Sequence, residues 1–226
     1  MSVTKRIVCL ANSRKMQGRC VAGREVIDGR PGPWIRPVSD RPTEEVSEEE
    51  RRYEDGSDPR VLDVIDIPLI EPRPKDYQTE NWLLDPKYYC VRAGAIGWKD
   101  LAAFSDVHGP LWRNEISSSN GQNDRVPVDL AIALDSSLGF IRVKDLNLKV
   151  FKPSEAFGNK KRRVQGIFSF DGVPYRLWVT DSVVEPSYLG KPDGEYMVAE
   201  AYLSVSLSEP YKGYCYKLIA AVVGKT

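Results

Sequence analysis

The sequence holds one histidine, His108, and four cysteines, Cys9, Cys20, Cys90 and Cys215, none in a CxxC pair. So few and so dispersed, they leave a zinc site almost no ligands, and no metal or other cofactor is expected. A single loop histidine supports neither a Ser/His/Asp nor a Cys/His arrangement for nucleophilic catalysis. Neither GxxxxGK[ST] nor GxGxxG occurs, so both glycine-rich phosphate cradles are missing. No stretch approaches the ~20 apolar residues of a membrane span. The opening MSVTKRIVCLANSRK lacks the apolar core and small-residue cleavage site of a secretion signal. These absences predict a cytoplasmic protein with buried structural cysteines and no membrane partner.

Charge of one sign is also lacking. Lys+Arg and Asp+Glu both number 32 in 226 residues, so the net charge is zero. A histone-like binder of polyanions would be basic, and that role is disfavoured. One basic groove balanced by an acidic segment is still allowed, and residues 44–58, EEVSEEERRYEDGSD, are such a segment. Within it Ser47 and Glu50 have capping-box spacing, which predicts an exposed helix over 43–54.

Most of the remaining pattern is strand. KRIVCLANS (5–13) and GRCVAGREVI (18–27) predict a hairpin broken at Met16–Gly18, with WIRPVS as a third strand. RVLDVIDIPLIEP (60–72) returns to β character, and GWKDLAAFS (97–105) reads as a short helix. The polar stretch SSSNGQNDR (117–125) reads as a surface loop or linker. It divides the chain into β-domains at 1–116 and 126–226. Beyond it, RRVQGIFSFDGVPYRLWVTD carries Asp171-Gly172 between two hydrophobic arms, a strong hairpin signal. The chain therefore reads as mainly β, two small barrels or sandwiches with few short helices. Alternating βαβ units are absent, which argues against a doubly wound nucleotide fold.

Four groups of residues are candidates for binding. Asn12, Ser13, Arg14 and Lys15 end the first strand, Arg19 follows the turn, and Trp34 with Arg36 share one face of the third. Were that face core, Arg36 would be buried and would need a partner. In YRLWVTD, Arg176, Trp178 and Thr180 oppose the core-like Tyr175, Leu177 and Val179. Arginine and tryptophan two apart thus recur once in each half, as a ligand platform or as structural cation–π pairs. Ser204, Ser206 and Ser208 alternate with apolar neighbours, facing ligand or water, and Tyr211 and Lys212 follow in a turn. Lys217 interrupts an apolar run, so its ammonium reaches either an anion or the surface. Lys160, Lys161, Arg162 and Arg163 form a basic run, a phosphate contact or a solvated loop.

KRIVCLANSRK, GRCVAG and PWIRPVS near the start, with YRLWVTD and LSVSLSEPYKGYCYKLIAAVV near the end, resemble the bacterial dual OB-containing domain family. The resemblance implies two OB-like β-barrels packed in one unit and a nucleic-acid- or nucleotide-binding role in a prokaryotic defence or nucleic-acid-processing context. With the residues above, it predicts a non-catalytic module whose partner is single-stranded nucleic acid or a nucleotide, held by aromatic stacking and Arg/Lys phosphate contacts. Two other readings stand beside it. One is a nucleotide-acting hydrolase or transferase using Asp181 and Glu209, with Arg176 on the phosphate. The other is a protein-interaction adaptor that recruits a protein partner through 44–58 and exposed strand edges.

Overall fold

The apolar run at the start of the chain becomes β1 (Val3–Lys15), which turns at Met16 and Gln17 into β2 (Gly18–Ile27), Lys15 opposite Gly18. Met16 takes the left-handed φ of 48° such a tight turn requires. β3 (Arg30–Val38) continues the meander antiparallel to β2. β4 (Asp63–Pro72) pairs back on β1, and β5 (Asn81–Leu84) lies antiparallel to β4 and parallel to β3. These pairings close a five-stranded barrel in the order β1-β2-β3-β5-β4. Its inward residues, among them Ile7, Val21, Ile35, Ile65, Ile67 and Leu69, form a buried core. β6 (Val91–Ala95) adds to β4 outside the ring.

The computed structural model describes residues 2–106, 109–155 and 158–225. The chain divides into two units, Met1–Ser105 with Asp135–Ser137, and Asp106–Leu134 with Leu138–Thr226. The second unit opens with β7 (Arg125–Pro127) and α2 (Val128–Ala131), following α1 (Glu48–Arg51) of the first. Its main strands are β8 (Leu138–Phe151), β9 (Arg163–Phe170), β10 (Val173–Val179), β11 (Gly194–Leu207) and β12 (Tyr214–Gly224). They pair in the order β8-β9-β10-β12-β11 and back to β8, with β10 and β12 parallel. This cycle repeats that of the first unit strand for strand. In both, a short helix follows the third strand: α1 in the first, α3 (Val184–Leu189) in the second. The chain is mostly β, with two OB-like sets of strands. The β9–β10 hairpin turns at Asp171-Gly172, both at positive φ (50° and 76°), as a two-residue hairpin loop demands.

A glycine sits on the second strand of each set where strands come close. A Cβ on Gly23 would stand 2.1 Å from the carbonyl oxygen of Val8, and one on Gly166 2.3 Å from Ile219 Cδ1.

Two expectations change. The helix expected over 43–54 shrinks to the single turn Glu48–Arg51. Its Ser47–Glu50 capping box is present, but Arg52 is already extended. Tyr53 is drawn into the core, where its hydroxyl donates to Asp63 at 3.0 Å and its backbone bridges to Cys90. The seryl face of β11 is also not uniformly outward: Ala201 to Val205 are all buried, Ser204 fully, because this segment is covered on both sides. The polar stretch 117–125 lies in the second unit, where Ser118 donates to Asp124 and Asn123 Nδ2 donates to the Pro174 carbonyl. Among the described residues no helix is long and apolar enough to cross a membrane.

Candidate functional site

Leu146, Leu148 and Val150 point into the second barrel, so strand alternation turns Asn147, Lys149 and Phe151 outward on β8. On β10 the core positions Tyr175, Leu177 and Val179 turn Arg176 and Trp178 outward. β9 lies between the two and contributes Arg163, Gln165 and Ile167. Across this wall the rings of Phe151 and Trp178 stack, centroids 5.9 Å apart and planes 20° from parallel. The Arg163 guanidinium lies 4.7 Å from the Trp178 ring, and Lys149 Nζ 5.5 Å from Phe151. Both rings are half-buried, and Arg176 is exposed.

Beside the stack is a groove of about 410 Å³, reached by Lys149, Phe151, Gln165, Arg176 and Glu195 and bordered by Ser119–Gly121. The 119–122 segment is fastened to this wall. Gln122 and Arg176 exchange backbone hydrogen bonds of 3.1 and 3.2 Å, and Gln165 Nε2 donates to the Asn120 carbonyl at 2.6 Å. Glu195 receives Asn147 Nδ2 at 2.8 Å and pairs with Lys149 Nζ at 3.2 Å. Those hydrogen bonds, then the lysine's charge, hold its carboxyl below the usual range, so it is ionised at neutral pH. The wall offers an aromatic face, three cations and one fixed anion.

Trp34 and Arg36 belong to the first unit and are buried. Arg36 has the partner that burial requires: its Nη2 meets the Glu80 carboxylate, and the same nitrogen donates to Ser137 Oγ. Ser137 Oγ in turn donates to Glu80. Such a guanidinium is occupied by the fold. In neither unit is the arginine over the tryptophan the one two residues away. Arg24 of β2 stands directly opposite Trp34, 5.8 Å from its ring. Arg163 of β9 is two residues from Gln165, the residue opposite Trp178, and reaches that ring diagonally at 4.7 Å. Residues i and i+2 of a strand stand nearly 7 Å apart. Directly cross-strand side chains stand ~4.5–5.5 Å apart, and a diagonal cross-strand neighbour at ~7–8 Å is still within reach of a long arginine side chain.

The other predicted residues separate by burial. Asn12 and Ser13 are buried, Asn12 donating to the Pro59 carbonyl at 2.7 Å. Arg14 is exposed, Lys15 and Arg19 are partly so, and Arg19 exchanges backbone hydrogen bonds with Val46. Lys160 and Lys161 are exposed on the connection from β8 to β9. Arg162 instead ties down residues 189–193, bonding the Leu189 and Lys191 carbonyls and Asp193. Thr180 donates to the Ile219 carbonyl at 3.2 Å. Ser206 is half-buried; Tyr211 and Lys212 are exposed together on the β11–β12 turn, Lys212 Nζ 5.3 Å from the ring. Lys217 is buried, donating to the Arg113 carbonyl and Asn114 Oδ1, both at 2.7 Å. Burial lowers its ammonium to about 7, against a smaller opposing pull from Asp124.

Asp181, weighed as an acid or base, accepts from the backbone amides of Val183, Val184 and Val222 at 2.8 to 2.9 Å, which makes it a clasp for α3. In the acidic segment Glu44 pairs with Lys75, Glu50 with Arg41 and Asp58 with Arg51. Cys9, Cys90 and Cys215 are buried and Cys20 partly so; burial raises the Cys90 thiol to about 12. Among the described residues no three His, Cys, Asp or Glu side chains gather to hold a metal ion. His108 lies outside the described residues.

The binding candidates thus brought together are Arg163, Arg176 and Trp178, with Lys160 and Lys161 on the connection entering β9. Phe151, Lys149, Asn147 and Glu195 were missed by the sequence reading. The alternation of LNLKVF carried a signal for three of them, because three inward aliphatics fix the outward partners.

The family model of the dual OB-containing domain matches residues 5–222. Among curated proteins and solved structures, none matches the chain.

Proposed function

This chain belongs to the dual OB-containing domain family, and from that premise we propose that it is a non-catalytic module binding single-stranded nucleic acid or a nucleotide on the outer wall of β8, β9 and β10. The observation that carries the reading is the Phe151–Trp178 stack with Arg163 and Lys149 against it. β9 and β10 are the second and third strands of an OB-order ring, the wall on which OB barrels meet oligonucleotides. A half-exposed aromatic pair offers any base a π-face, and Arg176, Lys160 and Lys161 offer the backbone charge without demanding a sequence. The zero net charge fits a local interface, since an acidic segment elsewhere balances it, with Glu44, Glu50 and Asp58 of that segment paired to Lys75, Arg41 and Arg51 of the first unit.

Fluorescence anisotropy with single-stranded DNA, single-stranded RNA, duplex and free nucleotides at two salt concentrations tests this. Trp178→Ala removes one stacking face, so affinity for single strands is expected to fall by about 1–3 kcal/mol, roughly 5- to 150-fold. Unchanged affinity in both Trp178→Ala and Arg176→Ala would remove this wall from the site. No binding to any probe would defeat the nucleic-acid reading and favour an adaptor, for which the exposed edge strand Val91–Ala95 is the nearest docking feature.

A further inference from the structure

The groove beside the stack contains a feature that phosphate recognition does not explain. Glu195 faces it as a carboxylate kept ionised and fixed by Asn147 Nδ2 (2.8 Å) and Lys149 Nζ (3.2 Å). An anion here repels a phosphate, so the ligand group meeting it must be a hydrogen-bond donor. A carboxylate accepts through two oxygens side by side and cannot donate. Asn147 Oδ1, beside it, is a buried acceptor with no hydrogen-bond partner. Phe151 supplies the adjoining ring face, and the groove of about 410 Å³ has room for a nucleobase.

Among the bases, guanine alone places two donors, N1–H and the 2-amino group, next to one another on its Watson–Crick edge. Adenine and cytosine pair one amino group with a ring acceptor, and uracil and thymine set a single N–H between carbonyls. Resting on the function proposed above, we infer that the groove reads guanine: Glu195 accepts from N1–H and the 2-amino group while the ring packs against Phe151. Arg176, exposed on the same wall, then meets the flanking backbone. The site combines sequence-tolerant stacking with one base-selective position.

The test uses labelled deoxythymidine decamers carrying one central G, A, C or inosine, and the matching uridine decamers. A single guanine avoids quadruplexes. The expected result is at least tenfold tighter binding of the guanine probe than of the thymine, adenine or cytosine probes. Inosine, which lacks the 2-amino group, should give back at least threefold. In Glu195→Gln, an exposed substitution whose fold is checked by circular dichroism, the guanine-to-thymine ratio should drop below twofold. Equal affinity for all bases, with binding still dependent on Trp178, would overturn the guanine assignment and leave the general reading standing. A guanine preference surviving in Glu195→Gln would overturn it as well. Failure of every decamer to bind would defeat the general reading itself.

Discussion

Lys217 lets the burial of charge in the second barrel be measured. The residue is 1% exposed, and its amine donates to the Arg113 carbonyl and Asn114 Oδ1. A neutral amine retains two N–H groups, enough for both acceptors, so loss of the proton breaks neither bond. The folded group titrates at about 7, against 10.5 in a free lysine. Between those values the unfolded chain holds a proton the folded chain lacks, so unfolding takes up a proton and stability rises with pH. The slope approaches 1.4 kcal/mol per pH unit, and integrating from about pH 7 to about pH 8.5 gives about 1.6 kcal/mol from this one group. Lys217→Met keeps an unbranched apolar chain in the site and removes the titration. It leaves two acceptors without donors, a pH-independent loss of ~1–3 kcal/mol for each. Urea unfolding of both proteins under reducing conditions at the two pH values gives the double difference, in which other titrating groups cancel. A wild-type gain of about 1.6 kcal/mol over the variant is expected. A double difference of zero would mean that the amine stays charged in the fold, and the argument from burial would fail.

Removing the Glu80 carboxylate leaves the buried Arg36 guanidinium without its counter-charge. Glu80→Ala should therefore lose about 3–5 kcal/mol in urea unfolding, whereas Arg36→Met with Glu80→Leu should lose much less. A Cβ at Gly23 meets a backbone oxygen that cannot yield, while one at Gly166 meets only the tip of Ile219. Thermal unfolding should therefore place Gly23→Ala about 1–3 kcal/mol below wild type and Gly166→Ala closer to it. If Lys160 and Lys161 touch phosphates, replacing both by alanine should lower the logarithmic salt dependence of single-strand binding by up to about 1.4 units. An unchanged slope would exclude them from the interface.

Much of the fold was legible because its signals are local. The turns at Met16–Gly18 and Asp171-Gly172, the alternation in β8–β10 and the Ser47–Glu50 capping box all lie within a few residues. What escaped depended on distant segments. Ser204 alternates as an outward residue should, yet both sides of β11 are covered there. Asp181 reads as a free carboxylate until Val222, 41 residues on, supplies an amide to it. Phe151 and Trp178 lie 27 positions apart and meet because the ring order sets β8 and β10 on either side of β9.

The sequence by itself determined that arginine and tryptophan share one face of the third strand in each half, because alternation along a strand has a fixed period of two. It could not determine which face is wet. That depends on what lies over the strand, and the two units differ there. In the first, Arg36 is buried against Glu80 and Ser137; in the second, Arg176 is exposed and Trp178 half-exposed. Tertiary structure also chose the arginine that lies over each ring. A neighbouring strand brings Arg24 directly opposite Trp34 and Arg163 diagonally across from Trp178, close enough for each guanidinium to reach the ring.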